Sequence, residues 1–273
     1  PDDANHRTQL FISTHSSHVV QNTDFEHIRY FRRYVDENLK IPVSNVINMT
    51  DTFKTDKETK QFVARYIRLT HCDVFFADAI VMVEGAAERI LMPIFLNNSG
   101  LSNKYISIVE IAGSHAHRFK DLVERLGILT LVVTDLDAQE QVDGGRKNKR
   151  AKKPQKGKGQ TTNNDTLRTW LPKKESVDDL LNLASQDKVS NNVRVAYQTE
   201  LKVPFKGHRS VSIIPYTFED ALAFANKDVF INKKIDQKGI IKKFNRAFEQ
   251  DTAGKCRDEL LTILYEEKGS KSY

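Results

Sequence analysis

The feature that most constrains this 273-residue chain is the stretch at residues 79–96, which reads AIVMVEGAAERILMPIFL. An apolar run stops at Glu84 and Gly85, and apolar residues then recur at helical spacing, at Ile90, Leu91, Ile94 and Phe95. The pattern predicts a buried strand, a tight glycine turn and an amphipathic helix. Glu84 then lies at the carboxyl end of a strand, and Glu88 follows one helical turn later beside the same crevice. Ligands of open α/β sheets bind at this edge.

A second apolar run, ILTLVVT at residues 128–134, ends in two aspartates, Asp135 and Asp137. Side chains alternate along an extended segment, so both carboxylates are expected to point to the same side. Four carboxylates at two strand ends repel one another unless a cation neutralises them. The sequence therefore predicts a divalent-cation site at this edge, with four candidate ligands: Glu84, Glu88, Asp135 and Asp137.

The neighbouring segments extend the same architecture. Residues 105–111 read as a buried strand and residues 119–126 as a helix, which completes a β-α-β-α-β order. That order is typical of a parallel sheet with helices on both faces. Residues 41–49 and 201–209 are expected to be connections, the first an interrupted Pro/Asn-containing stretch and the second a basic turn.

The composition indicates a soluble protein, because 39% of the residues are hydrophobic and 29% are charged. No apolar run approaches the ~20 residues that span a bilayer, so no membrane partner is expected. Cys72 and Cys256 are far apart and lack metal-ligand spacing, which argues against disulfides or zinc and favours a reducing, cytoplasmic location. The absence of an initiating methionine suggests a piece of a longer protein.

The net charge of +6 comes from one local segment. Residues 146–158, RKNKRAKKPQKGK, hold eight Lys and Arg and no acid, while the other 34 Lys and Arg nearly balance 36 Asp and Glu. Such a run suits contact with phosphates, although a solvated tail or a localisation-like signal has the same composition. The surrounding residues 138–164 are expected to form a long flexible loop. The residues predicted to bind nucleic acid are Arg146, Lys147, Lys149, Arg150, Lys152 and Lys153.

The strand–Glu-Gly–helix unit followed by a strand and Asp-x-Asp resembles the Toprim fold of topoisomerases, primases and some nucleases. The wording VEGAAERILMPIFL is similar to the OLD (overcoming lysogenisation defect) family of ATPase-linked nucleases, most densely at residues 75–137. This resemblance implies an α/β fold, a Toprim-like parallel sheet flanked by helices. It places the remnant of an ABC-type ATPase domain at residues 1–74, the catalytic domain at 75–223 and a helical portion at 224–273.

The N-terminal segment LFISTHSSHVV resembles the last core strand and switch-histidine loop of ABC-type ATPases, with His15 at the position of the histidine. A strand is expected at residues 9–13. The chain has no GxxxxGK[ST] motif to hold phosphates, so it is not expected to hydrolyse ATP alone. The resemblance implies ATP as a cofactor only of the full-length protein, and a homodimer or higher oligomer formed through its ATPase region.

The resemblance also implies the chemistry, which is Mg²⁺- or Mn²⁺-dependent hydrolysis of DNA phosphodiesters with two ions. Glu84, Asp135 and Asp137 are expected to hold one ion, and Glu88 and Glu219 to help hold the second. Lys271 is expected to offset charge in the transition state. Two of these residues have simpler explanations: an acid such as Glu219 suits the first turn of any helix, and a terminal lysine such as Lys271 is usually solvated.

Two other functions remain open at this point. A Toprim primase or topoisomerase would share the same carboxylates, although the sequence shows neither a zinc module nor a clear nucleophilic tyrosine. A non-catalytic, Mg²⁺-dependent module that binds phosphate or nucleic acid would also need them. Product formation distinguishes the nuclease from the binding module, and a covalent phosphotyrosyl adduct would indicate a topoisomerase.

Overall fold

The computed structural model of the protein describes residues 9–36, 38, 40–52, 57–141, 149–205, 208–231 and 238–270. The chain first forms helix α1 (Ser17–Gln21), an antiparallel ribbon of β1 (Arg29–Val35) and β2 (Pro42–Asn48), and helix α2 (Lys57–Thr70). Buried side chains of this region join the same hydrophobic core as the central sheet that follows, among them Val20, Phe25, Met49, Val63 and Ile67.

Two predictions for this N-terminal region are wrong. Residues 9–13 have no regular structure, and Leu10 and Phe11 are exposed, because no described strand lies beside them to supply hydrogen bonds. Residues 42–48, expected to be an interrupted connection, form β2 because they pair with β1 along its whole length, and Pro42 lies at the strand end where a proline is tolerated.

The central sheet is built from alternating strands and helices, as the sequence predicts. Its first part comprises β3 (Ala79–Val83), α3 (Ala86–Asn98), β4 (Ile106–Glu110), α4 (Lys120–Leu126) and β5 (Leu129–Val133). Strand β3 lies between β4 and β5 and is parallel to both. The apolar side chains of β3 are buried on both faces, which is typical of a parallel sheet covered by helices.

Residues 138–164 are predicted to form a long flexible loop, and their described part contains a three-stranded antiparallel sheet. Its strands are β6 (Ala138–Gln141), β7 (Lys149–Ala151) and β8 (Thr161–Thr162), with β6 in the middle. The buried Gln160 side chain explains why this segment has a defined structure. Its amide donates to the Lys153 carbonyl at 3.0 Å, and its Oε1 accepts from the Gln155 N–H at 2.8 Å. Polar side chains of this kind leave no hydrophobic periodicity in the sequence.

A π-helical turn at Thr166–Trp170 and helix α5 (Val177–Asn182) lead back to the central sheet. The short strand β9 (Val189–Ser190) pairs antiparallel with β10 (Val193–Ala196), and β10 is parallel to β5. The five-stranded sheet therefore has the order β4-β3-β5-β10-β9. This mostly parallel sheet, flanked by helices, confirms the predicted α/β fold class.

The last part of the chain has a hydrophobic core of its own. It contains the hairpin β11 (Leu201–Phe205) and β12 (His208–Ile213), followed by α6 (Phe218–Ala225), α7 (Lys227–Ile231), α8 (Gly239–Phe248) and α9 (Ala253–Ser270). Residues 201–205, predicted to be a basic turn, form a strand because Val203 and Phe205 alternate inward against Phe224 and Phe248. Across the described part of the chain, no helix is both long and apolar enough to cross a membrane.

Candidate active site

The carboxyl ends of β3 and β5 place Glu84 next to Asp135. The two strands are parallel neighbours, paired from Ala79 with Leu129 to Met82 with Val132, so the residues that follow them meet at one edge of the sheet. The backbone N–H of Asp135 donates to Glu84 Oε1 at 3.3 Å, and the Thr134 hydroxyl donates to the same oxygen. The structure thus brings together the two candidate ligands that come from different strands.

Both carboxyl groups are costly to ionise in this position. Desolvation raises the pKa of Glu84 to about 7, and the charges of Asp137 and Glu88 act in the same direction. Desolvation also raises the pKa of Asp135 to about 8, with further contributions from Glu84 and Asp137. Hydrogen bonds from Thr134 and Gln198 oppose these shifts only in part. A cation at this edge of the sheet would relieve the repulsion.

The backbone conformation at Asp137 differs from the one that the sequence predicts. Its φ of 45° lies in the left-handed region, so the backbone is not extended at Asp137 and the premise of the alternation argument does not hold there. That both carboxylates point to the same side stays a prediction. The intervening Leu136 is fully buried, and its N–H donates to Gln198 Oε1 at 2.8 Å. Asp137 is solvent-exposed, yet it lies close enough to Glu84 and Asp135 to raise their pKa values.

Glu88 is buried in the first turn of α3, beside Gly85 at the helix N-cap. A Cβ atom at Gly85 would lie 3.2 Å from Glu88 Oε2, so a larger residue at this turn would press on the carboxylate. Glu88 and Asp135 line one cavity of about 300 Å³, together with apolar side chains of α6 such as Phe218. The restriction at Gly85 is therefore one of space beside Glu88, not of backbone angle, because its φ of −147° is open to any residue.

Two residues that hold the carboxylates were missed by the sequence reasoning. The fully buried Asn164 donates through Nδ2 to Thr134 Oγ1 at 2.6 Å, to the Asp135 carbonyl at 2.8 Å and to Glu84 Oε1 at 3.3 Å. Gln198 donates through Nε2 to Asp135 Oδ1. The signal for Gln198 was its place two residues after the end of strand β10, whereas Asn164 lay in a segment interpreted as loop.

The hydrogen bonds on the two central carboxylates are one-sided. Within the described residues, every hydrogen bond to Glu84 reaches Oε1, and the bond from Gln198 reaches Oδ1 of Asp135. This leaves Glu84 Oε2 and Asp135 Oδ2 as hard oxygen donors, the type that Mg²⁺ and Mn²⁺ prefer. The chemistry of the donor set therefore fits a divalent cation.

The described residues, however, do not assemble a complete metal site. Among the residues that the structure describes, no group of three or more His, Cys, Asp or Glu side chains is arranged to hold a metal ion. Glu219 lies half-buried in the first turn of α6, next to Asp220, whose side chain completes a capping box with Thr217. The ligand role of Glu219 stays a prediction.

The predicted basic residues are only partly described. Lys271, Arg146 and Lys147 lie outside the described residues, as does the side chain of Lys149. Arg150 is exposed on β7. Two lysines beyond β7 have acidic partners: Lys152 Nζ lies 3.9 Å from Glu140 Oε2, and Lys153 pairs with Asp258 of α9.

Two comparisons with known proteins bear on this site. Residues 75–137 match the family described as overcoming lysogenization defect protein-like, TOPRIM domain. The chain is also similar to Endonuclease GajA of Bacillus cereus (strain HuB5-5), with 29% identity over 213 residues that make up 72% of this chain. The chain spans 29% of the length of that relative. Both findings confirm the resemblance based on the Val-Glu-Gly and Asp-x-Asp motifs.

Proposed function

We propose that the chain, whose residues 75–137 carry an OLD-like Toprim domain, is the catalytic part of a metal-dependent DNA endonuclease. The observation that carries this proposal is the contact between Glu84 and Asp135 at the ends of two neighbouring parallel strands. The described relative is named as an endonuclease, which supports the same reaction class. DNA as substrate, and Mg²⁺ or Mn²⁺ as cofactor, follow from the resemblance and the carboxylate donors.

In this proposal Glu84, Asp135 and Asp137 hold one ion, and Glu88 and Glu219 help to hold a second. Divalent cations bound there would supply Lewis-acid activation of water and neutralise charge on the phosphate. The role of the chain's other side chains is to hold the ligands in position. Hydrogen bonds from Thr134 and Asn164 orient Glu84, and the amide of Gln198 orients Asp135. A hydrogen bond to one oxygen of a ligating carboxylate sets the direction in which the other oxygen points.

Lys271 is proposed to offset charge on the phosphate in the transition state, again by resemblance. An ATP requirement and oligomer formation through an ATPase region stay predictions of the same origin. A primase or topoisomerase reaction would use the same carboxylates, and no described contact favours it over hydrolysis.

One observation favours a second candidate, a non-catalytic module that binds phosphate or nucleic acid with Mg²⁺. The hydrogen bonds among Glu84, Thr134 and Asn164 would fix a carboxylate for metal binding whether or not a reaction follows. Such a module would bind DNA in a metal-dependent way without forming a product.

The test is conversion of supercoiled plasmid to nicked or linear DNA in Mg²⁺, Mn²⁺ or EDTA. Wild-type protein is compared with Glu84→Gln and Asp135→Asn, and with Asp121→Asn, which alters an exposed acid on α4. The nuclease is supported if cleavage requires the metal, is lost in Glu84→Gln and Asp135→Asn, and is kept in Asp121→Asn. Metal-dependent DNA binding without product would instead support the binding module, and a trapped covalent adduct would support a topoisomerase.

A further inference from the structure

A groove of about 940 Å³ lies between the three-stranded sheet and helix α9. Lysines 152, 153 and 158 line it from the segment that runs through and beyond β7. Leu261, Thr262 and Tyr265 line it from α9, and Tyr216 lines it from the turn before α6. The groove therefore combines cations with two aromatic rings.

Tyr216 connects this groove with the candidate active site. Its backbone N–H donates to the buried carboxylate of Asp220 at 2.9 Å, which fixes the turn that carries the ring. Pro215, the residue before Tyr216, lines the cavity that Glu88 and Asp135 also line. Tyr216 and Tyr265 line the groove together, so the turn at residues 215–216 joins the groove to the carboxylates.

Two lysines of the groove, Lys152 and Lys153, have acidic partners that a phosphate could replace. Lys153 pairs with Asp258, and this pair crosses from the segment after β7 to α9. Glu140 is the acid nearest to Lys152. Both pairs are partly exposed, and exposed ion pairs contribute little to stability, so exchanging the carboxylate for a phosphate costs little.

We propose that this groove binds a single-stranded segment of nucleic acid that leads to the carboxylates. In it, Tyr265 and Tyr216 stack on bases, Lys152, Lys153 and Lys158 contact phosphates, and Asp258 competes with a phosphate for Lys153. The inference rests on the proposed function, since it names the form of the substrate that reaches that site.

The aromatic rings are the reason for a single strand rather than a duplex. The bases of a single strand are free to stack on aromatic side chains, whereas a duplex offers this groove only its phosphates. Tyr265 is 64% exposed, so its ring is accessible without any rearrangement of α9. The lysines then follow the backbone of the strand.

If Asp258 and a phosphate compete for Lys153, replacing Lys153 and replacing Asp258 should change the affinity for the single strand in opposite directions. Lys153→Met removes a phosphate contact and should weaken binding, with the salt dependence reduced by about 0.7 in the logarithmic slope. Asp258→Asn frees Lys153 and should tighten binding. A purely structural ion pair would instead give changes in the same direction for both variants.

The experiment is fluorescence anisotropy with labelled oligothymidylate and with a duplex of equal length, in Ca²⁺, with the oligonucleotide checked for integrity after each titration. We expect the single strand to bind more tightly, and Tyr265→Leu to weaken its binding about tenfold. Tyr105→Leu and Lys104→Met alter an exposed tyrosine and an exposed lysine away from the groove and should bind as wild type does. Circular dichroism of each variant checks that it is folded.

Equal affinity for the duplex together with a neutral Tyr265→Leu would overturn the proposal, and so would the absence of any binding by wild-type protein. Failure of the proposed function is separable from these outcomes. If the plasmid is cleaved but the groove variants bind normally, the groove assignment fails while the nuclease stands. If the groove variants behave as expected but no plasmid is cleaved, the groove assignment stands while the nuclease fails.

Discussion

Glu84 Oε1 accepts a hydrogen bond from the backbone N–H of Asp135 at 3.3 Å, although 51 residues separate the two in the sequence. The contact exists because Glu84 directly follows β3, Asp135 follows β5 after one threonine, and the two strands are parallel neighbours. The same oxygen accepts from Thr134 and Asn164, so the backbone, a hydroxyl and an amide together fix one carboxylate. This is the arrangement from which the following predictions are made.

Replacement of Gln198 tests how Asp135 is oriented. Gln198→Met keeps the size of the side chain and removes the amide that donates to Asp135 Oδ1. We expect the Mn²⁺ concentration needed for half-maximal cleavage to rise about 10- to 100-fold, the usual effect of losing a partner that orients a metal ligand. A metal titration of the cleavage rate measures this change. The exposed Gln186→Met should leave the titration unchanged, and an unaltered Gln198→Met curve would show that Asp135 needs no such support.

Replacement of Asn164 tests the stability of the same network. Asn164→Leu removes the amide donor to Thr134 and to the Asp135 carbonyl and places an apolar group against buried polar atoms. We expect the free energy of unfolding to fall by about 1–3 kcal/mol, because buried polar groups lose their partners. Urea denaturation measures it, with the exposed Asn97→Leu as control, expected within about 0.5 kcal/mol of wild type. Equal stability of the two variants would contradict the role given to Asn164.

Gly85→Ala tests the space beside Glu88. The new methyl group would lie 3.2 Å from Glu88 Oε2, so the carboxylate must move. We expect plasmid cleavage to fall at least severalfold while the protein stays folded. Gly254→Ala is the matched control, since its methyl group would meet nothing closer than 4.0 Å and the glycine lies on a helix. Normal cleavage by Gly85→Ala would mean that the position of Glu88 does not matter to the reaction.

Divalent cations should stabilise the folded protein through the same carboxylates. Ligands that bind only the folded state raise its stability, by about 2.7 kcal/mol at a concentration 100 times the Kd. We expect Mg²⁺ or Mn²⁺ to raise the Tm of wild-type protein and of Asp121→Asn, and to raise that of Glu84→Gln much less. Thermal unfolding with the metal and with EDTA provides the comparison. An equal rise in all three proteins would place the stabilising cation elsewhere.

The sequence by itself determined the architecture around the site. The apolar runs at residues 79–83 and 129–133, with a helix pattern after the first, specified parallel strands, and parallel strands bring Glu84 and Asp135 to one edge. Hydrophobic periodicity carries this information because a helix that buries one face, or a central strand that buries both, needs apolar residues at fixed positions within its own segment.

Only the tertiary structure decided how the carboxylates are held. Asn164 reaches Glu84 across 80 residues of sequence, and it does so from a segment whose order depends on buried amides rather than on apolar periodicity. The positive φ of Asp137, which follows the fully buried Leu136, was likewise not visible in the sequence. Hydrogen bonds between distant polar side chains depend on the packed fold and leave no periodic trace in the chain, so the network around Glu84 and Asp135 became visible only in three dimensions.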